Sequence, residues 1–282
     1  MSYPKVSVIV PSYNHQSYIN YALDSIVADD YPNKEIVIIN DGSTDASDNV
    51  ISEWVQKNKQ HIPVNYLHRK NKGLTATLNE LVTRAKGKYI IILASDDILH
   101  GNTITKRVEL LEQNEAKGKL VLVSDALVID GSNNVIMQSS MAEYNSGNKL
   151  KYSTDDGIME EVILNPSISG ATVMINKKMY DIIGPYAEDL KAEDWFFYQR
   201  AAAEKAILFW DSPVSLYRVH LENTSGLAAP IERQLSLIDT IIKTFYRNFS
   251  RFPSTKYKLL ALRQLLKYIL VYNKLKLKRM LK

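Results

Sequence analysis

The segment IILASDDIL, residues 91–99, carries two adjacent carboxylates, Asp96 and Asp97, directly after an apolar run. A short apolar run of this kind is typical of a buried strand. Two interpretations are open at this point. The carboxylates lie in a solvated turn that caps the next helix, or they form a cation site at the carboxyl edge of a sheet. The rest of the chain decides between them.

Short apolar runs alternate with helical patterns through the first half of the chain. Strands are predicted at 6–10, 35–39, 64–68 and 89–93, and a helix at 74–85. Strands that are apolar on both faces and alternate with helices predict a mostly parallel, Rossmann-like α/β sheet covered by helices on both faces. Ligands of such sheets bind outside the carboxyl ends of the strands. Asn14, Asp41, Asp96 and Asp97 all follow predicted strand ends, which favours the cation site.

The second half has a more mixed pattern. Strands are predicted at 121–123, 128–137, 168–175 and 214–220, with a turn at 130–134. A helix begins at Asp194, and from about Pro230 the pattern is helical, with a break near Pro253. We therefore expect one domain over 1–229, with halves that meet at 124–125, and a basic helical extension over 230–282.

The composition excludes several kinds of site. The 282 residues include no cysteine, so disulfides, thiolate metal sites and cysteine nucleophiles are excluded. The first residues lack a charged segment followed by a long apolar one, and no window is apolar enough to span a membrane. We expect no secretory signal and no membrane span.

Charge is divided unevenly along the chain. All 31 acidic residues lie within 1–239, whereas 12 of the 35 Lys and Arg residues follow Asp239. Residues 1–239 therefore hold 23 basic groups and a net charge of −8, and the tail has a net charge of +12. Such a split indicates a separate partner for the tail.

Five segments occur in the order and at the separations of a known family. They are VSVIVPSYN, EIVIINDGSTD, NKGLTATLN, GKYIIILASDD, and AEDWFFYQR followed by SLYRVH. Over about residues 5–222 the chain resembles the inverting GT-A glycosyltransferases of family 2. The resemblance implies a GT-A fold and transfer of a sugar from a nucleoside diphosphate to a hydroxyl, with a divalent cation, Mn²⁺ or Mg²⁺. It makes 1–124 the nucleotide-sugar-binding half and 125–229 the acceptor-binding half of a catalytic domain.

The resemblance assigns contacts with the nucleoside to two strand-end loops. Pro11, Tyr13 and Asn14 would cradle the nucleoside, and the Asp41 carboxylate would accept the N3–H of uracil, which points to a UDP-sugar. Asn40 stands where the family more usually has its first Asp, so Asp41 is the better candidate. Asp41 equally fits a turn that caps the next helix.

The resemblance also assigns the diphosphate and its cation. Lys72 would supply positive charge beneath the diphosphate, and Gly73 would permit close approach of the backbone; Lys72 also fits a merely solvated turn. Asp96 would touch the ribose and Asp97 would ligate the metal, because a hard divalent ion with oxygen ligands neutralises a diphosphate leaving group. The family's longer form has a further acid at the position of Ala94, so phosphate and water would complete the coordination.

Inversion needs a further carboxylate that takes the proton of the acceptor hydroxyl. By resemblance Asp194 is this general base, although it also fits a helix cap. Glu193 would contact the acceptor, and Trp195 would lie against a sugar face unless the aromatic run is core. His220 matches a position near the diphosphate or metal, and we take it as a second metal ligand.

Other functions are less consistent with the sequence. A nucleotidyltransferase would place a glycine-rich basic loop after the first strand, and a non-catalytic sugar-nucleotide binder would have lost Asp97 or Asp194. A glycosidase would use paired carboxylates but not the nucleotide-site pattern. A nucleic-acid partner would be repelled by the acidic part of the chain.

We therefore expect a cytoplasmic enzyme of polysaccharide or glycolipid assembly, with a glycan or lipid-linked glycan as acceptor. The tail carries a helical stripe of Leu259, Leu262, Leu266, Ile269 and Leu270 among many basic residues. We expect such a helix, over 254–282, to bind peripherally to an anionic membrane. Alternatively, the stripe packs on the catalytic domain or on a second subunit of a homodimer.

Overall fold

A single sheet runs through the computed structural model, which describes residues 3–165, 167–220 and 230–280. Its strands are β1 (Val6–Ser12), β2 (Lys34–Asn40), β3 (Val64–His68), β4 (Tyr89–Ile92), β5 (Ile98–Leu99), β6 (Val121–Ile129), β7 (Val135–Met137), β8 (Val173–Asn176) and β9 (Ile207–Arg218). Their order is β3-β2-β1-β4-β8-β6-β9-β5, and β7 pairs with β6 beside this path.

Helices cover the sheet. They are α1 (Ile19–Ala28), α2 (Ser47–Asn58), α3 (Leu74–Arg84), α4 (Ile104–Asn114), α5 (Asp155–Leu164), α6 (Lys178–Ile183), α7 (Glu193–Ala203), α8 (Ile231–Asn248) and α9 (Thr255–Met280). Neighbouring residues of one strand enter different buried clusters: Val8 belongs to one and Ile9 to the other. Because successive strand residues point to opposite faces, the sheet is covered on both sides, as predicted.

The parallel part of the sheet positions the strand ends. β1 pairs in parallel with β2 and β4, and β2 pairs in parallel with β3. Their four carboxyl ends therefore meet at one edge, where the loops after β1, β2, β3 and β4 begin. The predicted first four strands agree with these elements to within two residues at each end.

The second half is mixed, and the strand pattern there differs from the prediction. β8 is antiparallel to β4 and β6, whereas β9 is parallel to β6. The runs predicted at 121–123 and 128–137 form the continuous strand β6 and the short β7. β8 begins only at Val173, after a turn of 3₁₀ helix at Gly170–Thr172, and β9 begins as early as Ile207. The predicted border at 124–125 falls inside β6, so both halves share one sheet.

The C-terminal helices join the main core. Phe245 from α8 and Tyr257 and Ala261 from α9 lie in the same buried cluster as β1 and β8 residues. The Tyr257 hydroxyl donates to the Asp156 carboxylate of α5 at 2.7 Å. In the described ranges, no helix combines the length and the apolar character that crossing a bilayer requires.

Candidate active site

The loop after β1 is fastened to the loop after β2 through Asn14. This residue has a backbone φ of +55°, a left-handed conformation that asparagine tolerates better than most residues. Its N–H donates to Ser43 Oγ at 2.9 Å, and its Oδ1 accepts from the Thr44 N–H at 2.8 Å. Pro11 is half-buried within β1, and the Tyr13 side chain next to Asn14 is exposed.

Asp41 joins the ends of β2 and β3. Its buried carboxylate accepts the backbone N–H groups of Lys72 and Gly73, both at 2.9 Å, and contacts the Arg69 guanidinium. Gly73 has a φ of +88°, which is a conformation suited to glycine. The backbone of the turn thus brings Lys72 and Gly73 to Asp41. The Lys72 side chain is exposed.

Asp96 meets two histidines at the end of β4. One carboxylate oxygen lies 3.1 Å from His220 Nε2, and the other lies 3.7 Å from His15 Nδ1. The ligand atoms of His15, Asp96 and His220 all lie within 4.8 Å of one another. His15 Nδ1 is also 2.7 Å from Ser95 Oγ. The three residues come from the ends of β1, β4 and β9, which converge here.

Asp97 is not among the three grouped ligands. Its carboxylate is 3% exposed and accepts the Arg218 backbone N–H at 2.9 Å. Burial raises the pKa of Asp97 well above its usual range, and the charge of Asp96 adds to this increase. The Arg218 guanidinium donates to the Asp96 carbonyl at 2.7 Å and to the Asp130 carbonyl at 3.0 Å. Asp96, rather than the expected Asp97, is therefore the carboxylate beside His220.

The histidine–aspartate cluster borders an open cleft. The cleft has a volume of about 710 Å³ and is lined by Asn14, His15, Gln16, Ser17, Tyr18, Asp45 and His220. Such a volume is within the range of pockets that hold cofactor-sized ligands. It lies at the carboxyl edge of the parallel strands, where ligands of open α/β sheets bind.

The cluster has the donor set of a divalent cation site. Oxygen ligands suit Mg²⁺ and Mn²⁺, and imidazole nitrogens add affinity for transition metals. Ligand atoms that bind one octahedral ion at about 2.1 Å lie about 3 Å apart when adjacent. The 3.1 Å between Asp96 and His220 fits this spacing, and His15 at 3.7 Å from Asp96 is near it. Bound there, a cation would supply positive charge to a diphosphate.

The predicted base lies at the start of α7. Asp194 is the second residue of this helix, and its Oδ1 accepts the Trp195 N–H at 2.6 Å. Asp194 is exposed, and it lines a small cavity of about 10 Å³ together with Asn165, Ser167 and Tyr198. Desolvation by the surrounding protein raises the pKa of Asp194 above its usual value. Desolvation and the nearby Asp194 raise the pKa of the buried Glu193 to about 8.

Trp195 has a different role from the one predicted. Its ring is 3% exposed and packs edge-to-face on Phe245, with ring centroids 5.3 Å apart. Its Nε1–H donates to the Val162 carbonyl. Because the ring is enclosed, it offers no free face to an acceptor sugar. The aromatic run of α7 is core, which is the alternative that the sequence left open.

Sequence reasoning missed three residues of the site. His15 follows Asn14 directly, and only the chain fold brings it to Asp96. Arg218 precedes His220 by two residues, which was a usable signal, but its contacts with Asp96 and Asp97 span more than 120 residues. Arg69 follows β3 and reaches Asp41. A lone basic residue after a strand does not indicate that it contacts a carboxylate at the end of another strand.

A comparison with protein-family models now gives the family. The model of glycosyl transferase family 2 matches residues 7–181, which is more than half of the chain. The chain belongs to glycosyl transferase family 2. An uncharacterised glycosyltransferase of Rickettsia prowazekii is 29% identical over 230 residues, which cover 80% of this chain and 67% of that relative.

Solved structures support the fold of this family 2 chain. Staphylococcus aureus TarS residues 1–349 in complex with UDP-GlcNAc superimposes with a TM-score of 0.62 at 19% identity, over 94% of this chain and 81% of that one. The mannosyltransferase PcManGT of Pyrobaculum calidifontis, in complex with GDP-Man and Mn²⁺, gives a TM-score of 0.65 at 14% identity, over 97% and 73%. The chain has the GT-A fold and is a glycosyltransferase.

Proposed function

We propose that this family 2 glycosyltransferase moves a sugar from a nucleoside diphosphate, most simply a UDP-sugar, to a hydroxyl with inversion and with a divalent cation. The observation that carries the proposal is the His15–Asp96–His220 cluster beside a cleft at the carboxyl edge of the sheet. The acceptor is a glycan or glycolipid of cell-surface polysaccharide synthesis. The neighbours' donors, UDP-GlcNAc and GDP-Man, support the donor class.

Donor binding is assigned to the loops after β1, β2 and β3. Pro11, Tyr13 and Asn14 would border the nucleoside, and Asp41 would receive the uracil N3–H. Because the Asp41 carboxylate already accepts two backbone N–H groups, it is held in one orientation before any ligand arrives. Lys72 and Gly73 lie in the same turn, where an exposed ammonium and a glycine backbone suit a diphosphate.

Cation binding is assigned to Asp96 and His220, with His15 as a third ligand. This assignment replaces the expected roles of Asp96 at the ribose and of Asp97 at the metal, because one Asp97 oxygen accepts the Arg218 N–H and Asp96 lies beside His220. We assign Asp97 to holding the loop after β4 against the end of β9. Two imidazoles favour a transition metal, so we expect Mn²⁺ to serve better than Mg²⁺.

Proton removal from the acceptor hydroxyl is assigned to Asp194. A raised pKa suits a general base, because proton transfer is most effective when the pKa is close to the working pH. Glu193 is largely protonated at neutral pH, since its pKa is about 8. We assign it to contact with the acceptor. The enzyme would act at the cytoplasmic face of the membrane, where a lipid-linked acceptor is present.

A panel of nucleotide sugars tests the proposal. The protein is incubated with UDP- and GDP-sugars, with Mn²⁺, Mg²⁺ or a chelator, and slow hydrolysis of the donor is followed without an acceptor. We expect release of nucleoside diphosphate from one donor class, dependent on the cation. Binding without turnover for every donor and cation would instead indicate a non-catalytic nucleotide-sugar-binding protein.

A pair of neighbouring substitutions tests the cation site. Asp96→Asn should abolish Mn²⁺-dependent UDP binding in calorimetry, because it removes a charged ligand oxygen. Asp97→Asn should leave that binding within about threefold of the unmodified protein, because an amide oxygen can still accept the Arg218 N–H. Loss of Mn²⁺ binding in Asp97→Asn alone, with the fold intact by circular dichroism, would return the ligand role to Asp97.

A further inference from the structure

Helix α9 packs on the protein through one face only. Its buried residues are Tyr257, Ala261 and Gln264. Gln264 Nε2 donates to the Leu164 carbonyl of α5 at 3.3 Å, and the Tyr268 ring lies 6.0 Å from the Trp195 ring. This face is not the apolar stripe that the sequence singled out.

The predicted stripe lies on the opposite side of α9 and is exposed. Its member Ile269 is half-buried, whereas Leu259, Leu262, Leu266 and Leu270 are between 40% and 70% exposed. The exposed apolar band continues through Leu277 and Met280, at 58% and 74%. At about 100° per residue these positions fall on one narrow band centred opposite Ala261. The structure therefore contradicts the alternative in which the stripe packs on the catalytic domain. An exposed apolar band of this extent marks an interaction surface.

Basic residues border the band. α9 contains eight Lys and Arg residues and no acidic one. Lys256 pairs with Glu160 and Arg279 with Glu232. The other six, which form no ion pair within the described part of the chain, are Lys258, Arg263, Lys267, Lys274, Lys276 and Lys278. The exposed face of α9 thus combines an apolar centre with a basic rim.

We infer that this face binds the surface of an anionic lipid bilayer, with the axis of α9 parallel to the membrane plane. The apolar band would enter the boundary between headgroups and acyl chains, and the basic rim would meet anionic headgroups. A second copy is a poorer occupant, because two all-basic helices would repel each other. A nucleic acid would satisfy the rim but would leave the apolar band exposed.

The membrane surface would lie close to the proposed acceptor site. Tyr268 joins the packed face of α9 to Trp195, which directly follows Asp194. An enzyme docked through α9 would therefore hold the start of α7 one helix away from the bilayer. This placement suits an acceptor sugar carried on a lipid. Membrane binding itself does not depend on sugar transfer, so the two proposals fail separately.

Flotation of the full-length protein tests the apolar band. Vesicles are made of phosphatidylcholine alone or of an equimolar mixture with phosphatidylglycerol. We expect binding to the mixed vesicles at low salt and little to the neutral ones. The double substitution Leu262→Gln/Leu266→Gln should weaken binding at least about tenfold, because two leucines leave the interface. The control Ile136→Gln/Leu150→Gln, at exposed apolar positions elsewhere, should bind normally.

A second pair of variants tests the rim. Lys274→Ala/Lys278→Ala should weaken binding to the mixed vesicles about fivefold per residue, whereas Lys57→Ala/Lys117→Ala, at exposed positions elsewhere, should not. Three outcomes would overturn the proposal. The first is equal binding to neutral and mixed vesicles. The second is an effect of the control pairs as large as that of the α9 pairs. The third is no binding to vesicles, together with a dimer in sedimentation that Leu262→Gln/Leu266→Gln abolishes.

Discussion

Two consecutive carboxylates at the start of α7 differ in their surroundings. Glu193 is 8% exposed, whereas the neighbouring Asp194 reaches solvent. Burial and the charge of Asp194 raise the pKa of Glu193 to about 8 from an ordinary 4.5. The folded protein therefore retains the Glu193 proton over a pH range in which the unfolded chain has lost it. One carboxyl group can stay neutral while its neighbour titrates as a base.

The Glu193 pKa predicts how stability depends on pH. The folded state binds the extra proton, so the contribution of protonated Glu193 to stability is fully present below pH 4.5 and is lost as the pH rises through about 8. Glu193→Gln keeps the neutral shape and removes the titration. The free energy of unfolding of the unmodified protein should therefore fall relative to Glu193→Gln, by on the order of 5 kcal/mol, between these limits. Urea unfolding at several pH values measures this; parallel curves for both proteins would contradict it.

Sequence patterns predicted which strand ends lie together, but not the partners of the residues that follow them. The strand ends that carry Asn14, Asp41 and Asp96 follow from local apolar runs, and they meet because parallel strands share one edge. The separate environments of Asp96 and Asp97 do not follow, because Arg218 and His220 create them from the far end of β9. Such contacts depend on how β9 is placed in the sheet, which no local pattern encodes.

At the scale of elements, the strand β6 is longer than its sequence pattern predicts, because polar residues interrupt its apolar run. β6 runs unbroken from Val121 to Ile129, although Ser124 and Asp125 interrupt its apolar pattern. The buried Asp125 carboxylate accepts from Ser139 at 2.5 Å and from the Met141 N–H at 3.0 Å, and it pairs with Lys149. These partners remove most of the cost of burying a charge. The strand therefore continues where the sequence suggested a gap.

The two faces of α9 should respond differently to truncation of a side chain. Tyr257 is 6% exposed and bonds to Asp156, whereas Leu259 on the same helix is 61% exposed. Tyr257→Ala should lower the free energy of unfolding by about 3 kcal/mol, because it leaves a cavity where the ring was buried. Leu259→Ala should change it by less than about 0.5 kcal/mol. Urea unfolding measures both values; similar losses would mean that both faces of α9 are packed.

At the scale of the whole molecule, the acidic part of the chain and the basic tail have opposite net charges but do not form two separately packed units. The basic tail shares its core with the acidic part through Phe245, Tyr257 and Ala261. Removal of residues 254–282 would expose this core, so loss of membrane binding on truncation would not identify a binding surface. Substitutions on the exposed band of α9 are the cleaner test, because they leave the core intact.

The residues proposed for the cation and for proton removal line different cavities, so their functions should be separable by substitution. Asp96 belongs to the cleft with His15 and His220, whereas Asp194 lines a small separate cavity beside α5. Asp194→Asn should lower kcat by about 10²–10⁴-fold, because it removes general-base assistance. It should leave the increase in melting temperature caused by UDP with Mn²⁺ unchanged. Asp96→Asn should instead abolish that increase, since a ligand stabilises a fold only as far as it binds.

Thermal melts with and without UDP and Mn²⁺, together with steady-state rates, check both halves of this prediction. Glu53→Gln, an exposed carboxylate on α2, is the matched control and should change neither quantity. An unchanged kcat in Asp194→Asn with a lower melting temperature would mean that Asp194 only stabilises the first turn of α7. A lost response to UDP in the same variant would mean that donor and acceptor share one site. Retention of both properties in Asp96→Asn would place the cation outside the histidine–aspartate cluster.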